Sequence, residues 1–214
     1  MRGLVAALAA SLLLTACNIV QTTTPLFTKA DEAGAAQLRP GVWRGTDDDG
    51  KCPVDESLPL KQWPDCAGRG VAKGGQLLSL DQKDGKWTWS AIDYVLAAGD
   101  PRVLQVHITP DTPAAAGKPG FYGYAGLQTL KSDARGRITA FRVWPVLCGP
   151  PPPPARAGQT PRFGTREPLP GMVMDKERVD CTTDSPSALR AAAAASRKWS
   201  DSTSDAHWVR DGED

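Results

Sequence analysis

Histidine is nearly absent from this chain: His107 and His207 are the only two in 214 residues. That scarcity removes most histidine-based metal triads and leaves little for a Ser-His-Asp mechanism, which needs an imidazole held between nucleophile and carboxylate. His107 falls in a β-prone run with no adjacent carboxylate, and His207 follows Asp205 in a polar C-terminal stretch. No G-x-S-x-G, H-E-x-x-H or Walker-type loop is present. No cysteine has another within four positions, so the C-x2-C spacing of structural zinc is missing too. The acidic cluster Asp47-Asp48-Asp49-Gly50 fails as a calcium loop. Counted from Asp47, Lys51, Cys52 and Leu58 stand where an EF-hand needs an oxygen ligand, a glycine and a glutamate. The expectation is a chain without catalytic residues, metal or cofactor. Two carboxylates meeting in space are the one hydrolytic arrangement that spacing leaves open.

Net charge is lacking as well, with 25 Lys+Arg against 24 Asp+Glu. A partner held by charge alone requires a basic stripe, so nucleic acid is not expected. No apolar run approaches the roughly 20 residues of a membrane-spanning helix. The nearest, Leu4 to Leu14, is broken only by Ser11 and follows a short positive segment, Met1-Arg2-Gly3. A positive start, a short apolar core and small residues after it make an export signal over residues 1–16.

Leu14-Thr15-Ala16-Cys17 resembles the lipobox of bacterial lipoproteins. The resemblance implies cleavage before Cys17 and lipid on its thiol, so that the mature chain is anchored by acyl chains such as palmitate. Each buried CH2 contributes about 0.8 kcal/mol, and two or more chains anchor stably where one is marginal. Asn18 stands where the enterobacterial sorting rule places aspartate for inner-membrane retention. The resemblance therefore implies the outer membrane of the cell envelope, with the domain facing the periplasm.

With Cys17 assigned to lipid, Cys52, Cys66, Cys148 and Cys181 remain, an even number suited to an oxidising compartment. Three connectivities are open. Cys52–Cys66 with Cys148–Cys181 is favoured because each closes a local loop rich in proline and glycine, contributing about 3 to 4 kcal/mol apiece. Seven tryptophans alongside 19 prolines and 21 glycines argue for one ordered domain with long loops.

Along the chain, residues 17–40 carry few large apolar side chains and read as a lipidated tether. The domain is expected over 41–200, opening with the β-prone stretch 41–45 and a stapled excursion over 46–70. Five runs, 76–80, 86–96, 102–109, 120–131 and 137–147, alternate in the manner of strands. Asp84-Gly85, Gly99-Asp100-Pro101 and Asp133 to Gly136 supply turn chemistry between them. Links this short join antiparallel neighbours. The fold class expected is mainly β, an antiparallel meander forming a curved sheet or small barrel, with one C-terminal helix. A further strand is expected within 172–181. Ser185-Pro186 starts the helix as N-cap and first-turn proline, and six alanines in 187–199 continue it. Leu189, Ala193, Ser196 and Trp199 form its packing face, with Arg190, Arg197 and Lys198 toward water. Residues 201–214 are expected as a polar tail.

The aromatic set Trp87, Trp89, Tyr122, Tyr124 and Trp144 is the candidate ligand-binding constellation. On a curved sheet such side chains line a pocket for a lipid, a glycan or a peptide, or else they fill the core. Gly41-Val42-Trp43 is similar to the G-x-W entry of lipocalins, which implies an eight-stranded barrel and an apolar cargo. The function expected is a membrane-anchored envelope module that binds a protein or cell-wall partner without catalysis. A lipocalin-like carrier and a carboxylate hydrolase are the alternatives.

Overall fold

Alternating apolar and polar side chains give the chain its strands. The computed structural model describes residues 18–45, 52–83, 85–109, 120–153, 164–176, 179–200 and 203–212. Cys17, the signal segment 1–16 and the acidic cluster at 47–49 lie outside the described residues. The strands are β1 (Gln21–Thr22), β2 (Gly41–Gly45), β3 (Gly68–Lys73), β4 (Gln76–Lys83), β5 (Lys86–Ala97), β6 (Arg102–Ile108), β7 (Phe121–Ser132), β8 (Ile138–Pro145), β9 (Val173–Met174), β10 (Cys181–Thr182) and β11 (Ser204–Arg210). One α-helix, α1 (Pro186–Ser196), precedes the last of them.

Strands β2 to β8 run as an antiparallel meander, and β11 inserts between β2 and β8 to close an eight-stranded barrel. Closure removes the open edges that a curved sheet would leave. The expected mainly β meander with one C-terminal helix is therefore the observed architecture, in its barrel form. β1 adds to β7 beyond the end of β8, with Gln21 opposite Gly123 and Thr22 opposite Tyr122.

The inward face is largely apolar, with a polar set of Ser79, Asp81 and Ser90 where β4 meets β5. Trp43, Ala72, Tyr94, Leu96, Leu104, Val106, Ala125, Leu127, Phe141, Val143 and Ala206 form one buried cluster, plugged at one end by Leu38 and Ile138. Trp43 and Phe141 pack with ring centroids 5.2 Å apart, and Trp43 Nε1 donates to the Arg39 carbonyl at 3.0 Å. Burial, helped by the Glu32 charge, pushes the Tyr94 phenol up to about 12, so it stays neutral inside the barrel.

Two outer layers cover the wall. On one flank α1 lies across β6, β7 and β8, burying Leu189, Ala192 and Ala193 with Val20, Phe27, Tyr124, Val146 and the Cys148–Cys181 disulfide. The Ser185 hydroxyl caps the helix by accepting from the Ala188 amide, and Pro186 occupies its first turn. On the other, residues 52–67, stapled by Cys52–Cys66, lay Leu60, Trp63 and Ala67 over Val42, Val71 and Leu80. Both favoured disulfides are formed.

Four expectations need correction. Residues 18–40 are no free tether: Ile19, Val20, Phe27 and Leu38 are buried, because apolar positions spread singly through a polar stretch still dock, Val20 and Phe27 under the helix and Leu38 at the barrel end. The C-terminal stretch holds β11, whose Ala206 alone among its residues is fully buried; the strand's polar look comes from an outward face busy with ion pairs. The expected strand within 172–181 is a two-stranded antiparallel ribbon, β9 with β10. Arg190 does not face water freely. Its guanidinium donates to the Ala98 carbonyl and lies over the Phe27 ring at 4.7 Å.

Candidate functional site

The five aromatics singled out in the sequence all point outward and do not converge. Trp144 is fully buried beneath α1, its Nε1 donating to the Ala193 carbonyl at 2.8 Å. Tyr124 is buried under the amino-terminal segment, its hydroxyl 2.5 Å from Thr22 Oγ1. Trp87 packs at the margin of the 52–67 strap, with the Arg69 guanidinium 5.1 Å from its ring. Trp89 is exposed, and Trp87 and Tyr122 are half-buried. The outward face of this meander is thus largely consumed in holding the two outer layers.

What stays open lies on β5, β6 and β7. His107 on β6 stands opposite Tyr122 on β7, and the two rings stack with centroids 4.7 Å apart. Asp93, Ala91 and Trp89 on β5 are exposed, Trp89 to 48%. Asp93 accepts from Gln76 Nε2 at 2.8 Å. The surface offers a flat aromatic ring, an imidazole stacked on a phenol, and a carboxylate, which suits recognition by stacking and hydrogen bonding.

Among the described residues the barrel interior is closely filled. A cavity between Trp43, Leu77, Leu104, Leu127 and Phe141 measures about 20 Å³, room for about one water. Pockets for small ligands run from about 300 Å³. A larger hollow, about 430 Å³, is an open cleft at the rim lined by Arg39, Asp133, Arg135, Arg137 and Asp211. Its carboxylates are already engaged: Asp133 by Arg137 at 2.7 Å and Asp211 by Arg39 at 3.4 Å. Burial pushes Asp133 up, but bonds from the Arg137 side chain and from the amides of Arg137 and Arg135 outweigh it and hold the carboxyl low. A group held ionised in this way is unsuited to deliver a proton as a general acid.

His207 has a partner that the sequence did not reveal. On β11 its Nε2 lies 2.9 Å from Glu56 Oε1, and Arg44 Nη1 reaches the same oxygen at 2.9 Å. Burial raises the Glu56 carboxyl, and the bonds from Arg44 and His207 lower it by more. Arg44 and Arg210 also donate to the carbonyls of Cys52, Glu56 and Leu58, while Arg69 donates to those of Leu60 and Trp63. The cluster is a set of clips that satisfies the strap's carbonyls, which an irregular segment packed on a barrel cannot satisfy itself. Only distances in space could have exposed it, because Glu56 and His207 are 151 residues apart. Among the described residues no group of three or more His, Cys, Asp or Glu is placed to hold a metal ion.

Fold and surface together define a closed, eight-stranded antiparallel barrel with a packed interior, one flanking helix and a disulfide-stapled strap. No family model, no curated protein and no solved structure matches the chain.

Proposed function

We propose that this protein is a lipid-anchored module of the bacterial envelope that works through its outer surface, binding a protein or cell-wall partner without catalysis. The observation that carries this reading is the closely packed barrel interior, whose described cavity measures about 20 Å³, beside an open face presenting Trp89, Asp93 and the His107–Tyr122 stack. Lipid attachment at Cys17 is supported by the order of charge, apolar core and lipobox in residues 1–17. A carrier of apolar cargo shares the barrel but needs an interior large enough to hold it.

Native mass spectrometry on the Cys17→Ser domain, exported to the periplasm and purified without detergent, separates the two. The expected result is a bare domain four hydrogens lighter than the reduced chain, two for each disulfide. An adduct of lipid-like mass would overturn the surface-binding reading in favour of the carrier.

A further inference from the structure

The amino-terminal segment is clasped to the barrel from its first described residue. Asn18 is 1% exposed and adopts φ +97°, a left-handed conformation that asparagine tolerates better than most residues. Its Nδ2 donates to the Gly149 carbonyl at 2.8 Å, its Oδ1 accepts from the Thr165 amide at 3.2 Å, and its carbonyl accepts from the Cys148 amide at 2.9 Å. The amides of Asn18 and Ile19 both donate to Asp180 Oδ1 at 3.0 Å. Ile19 then bridges Leu147 and Val20 bridges Cys181. Every polar group of Asn18 is spoken for, so the clasp has no slack.

Cys17 is one peptide link away, about 3.8 Å between α-carbons. A flexible tether of about 20 residues would give a root-mean-square reach of roughly 25 Å and free rotation. Here that freedom is gone before it begins. Next to the clasp lies the ribbon of β9 and β10, where Cys181 pairs with Met174 and Thr182 with Val173. Val173 is 63% exposed, against 48% for Trp89 and 43% for Leu130.

We propose that this flank, centred on the β9–β10 ribbon beside the Cys148–Cys181 disulfide, is the surface that rests on the bilayer, so that the barrel is held in a fixed orientation. The proposal rests on lipid attachment at Cys17. Its occupant is the lipid headgroup and upper acyl layer of the membrane that holds the anchor, and Val173 is the side chain that enters it. The open face with Trp89 and His107 then serves partners in the periplasm independently of the anchor.

The test uses the full lipidated chain in phosphatidylethanolamine–phosphatidylglycerol vesicles, with and without chain-brominated lipid. Val173→Trp and Leu130→Trp each add one indole to an exposed position. Leu130 lies on β7 seven residues beyond Gly123, the partner of Gln21, roughly 23 Å away along the strand. Relative to the native chain, the added emission of Val173→Trp is expected to fall roughly twofold on bromination, and that of Leu130→Trp to hold. A Gly/Ser linker of about 20 residues between Cys17 and Asn18 should abolish the difference. Equal quenching at both positions, or quenching that survives the linker, overturns the fixed orientation. Intact mass keeps the two readings apart. Diacylglycerol on Cys17 with Val173→Trp unquenched overturns this proposal alone, whereas a mature chain lacking diacylglycerol overturns the anchor and the proposal with it.

Discussion

Trp144 lies flat against Gly126 across the β7–β8 ladder. The two are paired in register, and a Cβ built on Gly126 would stand 2.5 Å from the indole. The missing side chain lets the largest core residue tuck beneath α1. Gly126→Ala should therefore overpack the site and cost about 1–3 kcal/mol. Urea unfolding followed by tryptophan emission reads the loss as a lower midpoint. An unchanged midpoint would mean that Trp144 has another place to go.

The strap over 52–67 depends on its staple. Cys52 and Cys66 are 14 residues apart, and closing a loop of that size stabilises by about 3 kcal/mol in the chain-entropy account. The double change Cys52→Ser, Cys66→Ser should lose about that much and open the strap to proteolysis within 52–67 while α1 stays protected. Timed digestion with mass mapping distinguishes this local opening from a general loss of fold.

Acid should loosen the same strap by a different route. Glu56 has its carboxyl held below the ordinary value because bonds from Arg44 and His207 outweigh burial. A carboxyl with a lowered native pKa contributes stability that is present above the unfolded pKa, about 4.5, and is lost as pH falls through the native one. The pair is partly exposed, so the contribution is small. Glu56→Gln should flatten part of the fall in urea midpoint between about pH 6 and about pH 3. An acid limb identical to the native one would remove Glu56 from the account.

The filled interior gives a prediction about cargo. Phe141 packs on Trp43 at the centre of the barrel, and Phe141→Ala should cost about 3–5 kcal/mol while leaving a cavity. An apolar cavity of that kind stays dry and takes up a small apolar molecule. Benzene should raise the melting temperature of Phe141→Ala and leave the native chain unchanged. A rise in the native chain would reveal interior space beyond the cavity described.

Much of the barrel was legible because its central strands obey one rule. In β5, β6 and β8 period-two alternation puts Tyr94, Leu104, Val106, Phe141 and Val143 on one face of their strands, and that face is the interior. Both disulfides followed from loop length and compartment. β11 escaped because its sequence reads as charge: Asp205 and Arg210 hide a strand whose outward positions bind Arg142 and the strap. The clasp at 18–22 escaped for a related reason, since asparagine and glutamine look like linker until their partners, Gly149, Thr165 and Asp180, are folded beside them. The aromatic constellation, expected either to line one pocket or to fill the core, instead faces outward and is divided between the strap, the helix flank and the open surface. Period-two alternation fixes a face, but neighbours on that face come from register and from what is laid over it.

The position of β11 sets a schedule for the newborn chain. It sits between β2 and β8, so a polypeptide emerging from its amino end presents two unsatisfied strand edges until residue 210 is out. Those edges are the kind that pair with other chains. Closure must then wait for completion, and the unfinished sheet stays open to chaperones and proteases throughout its synthesis. A barrel whose final stave is delivered last cannot shut on a chain that is still being made.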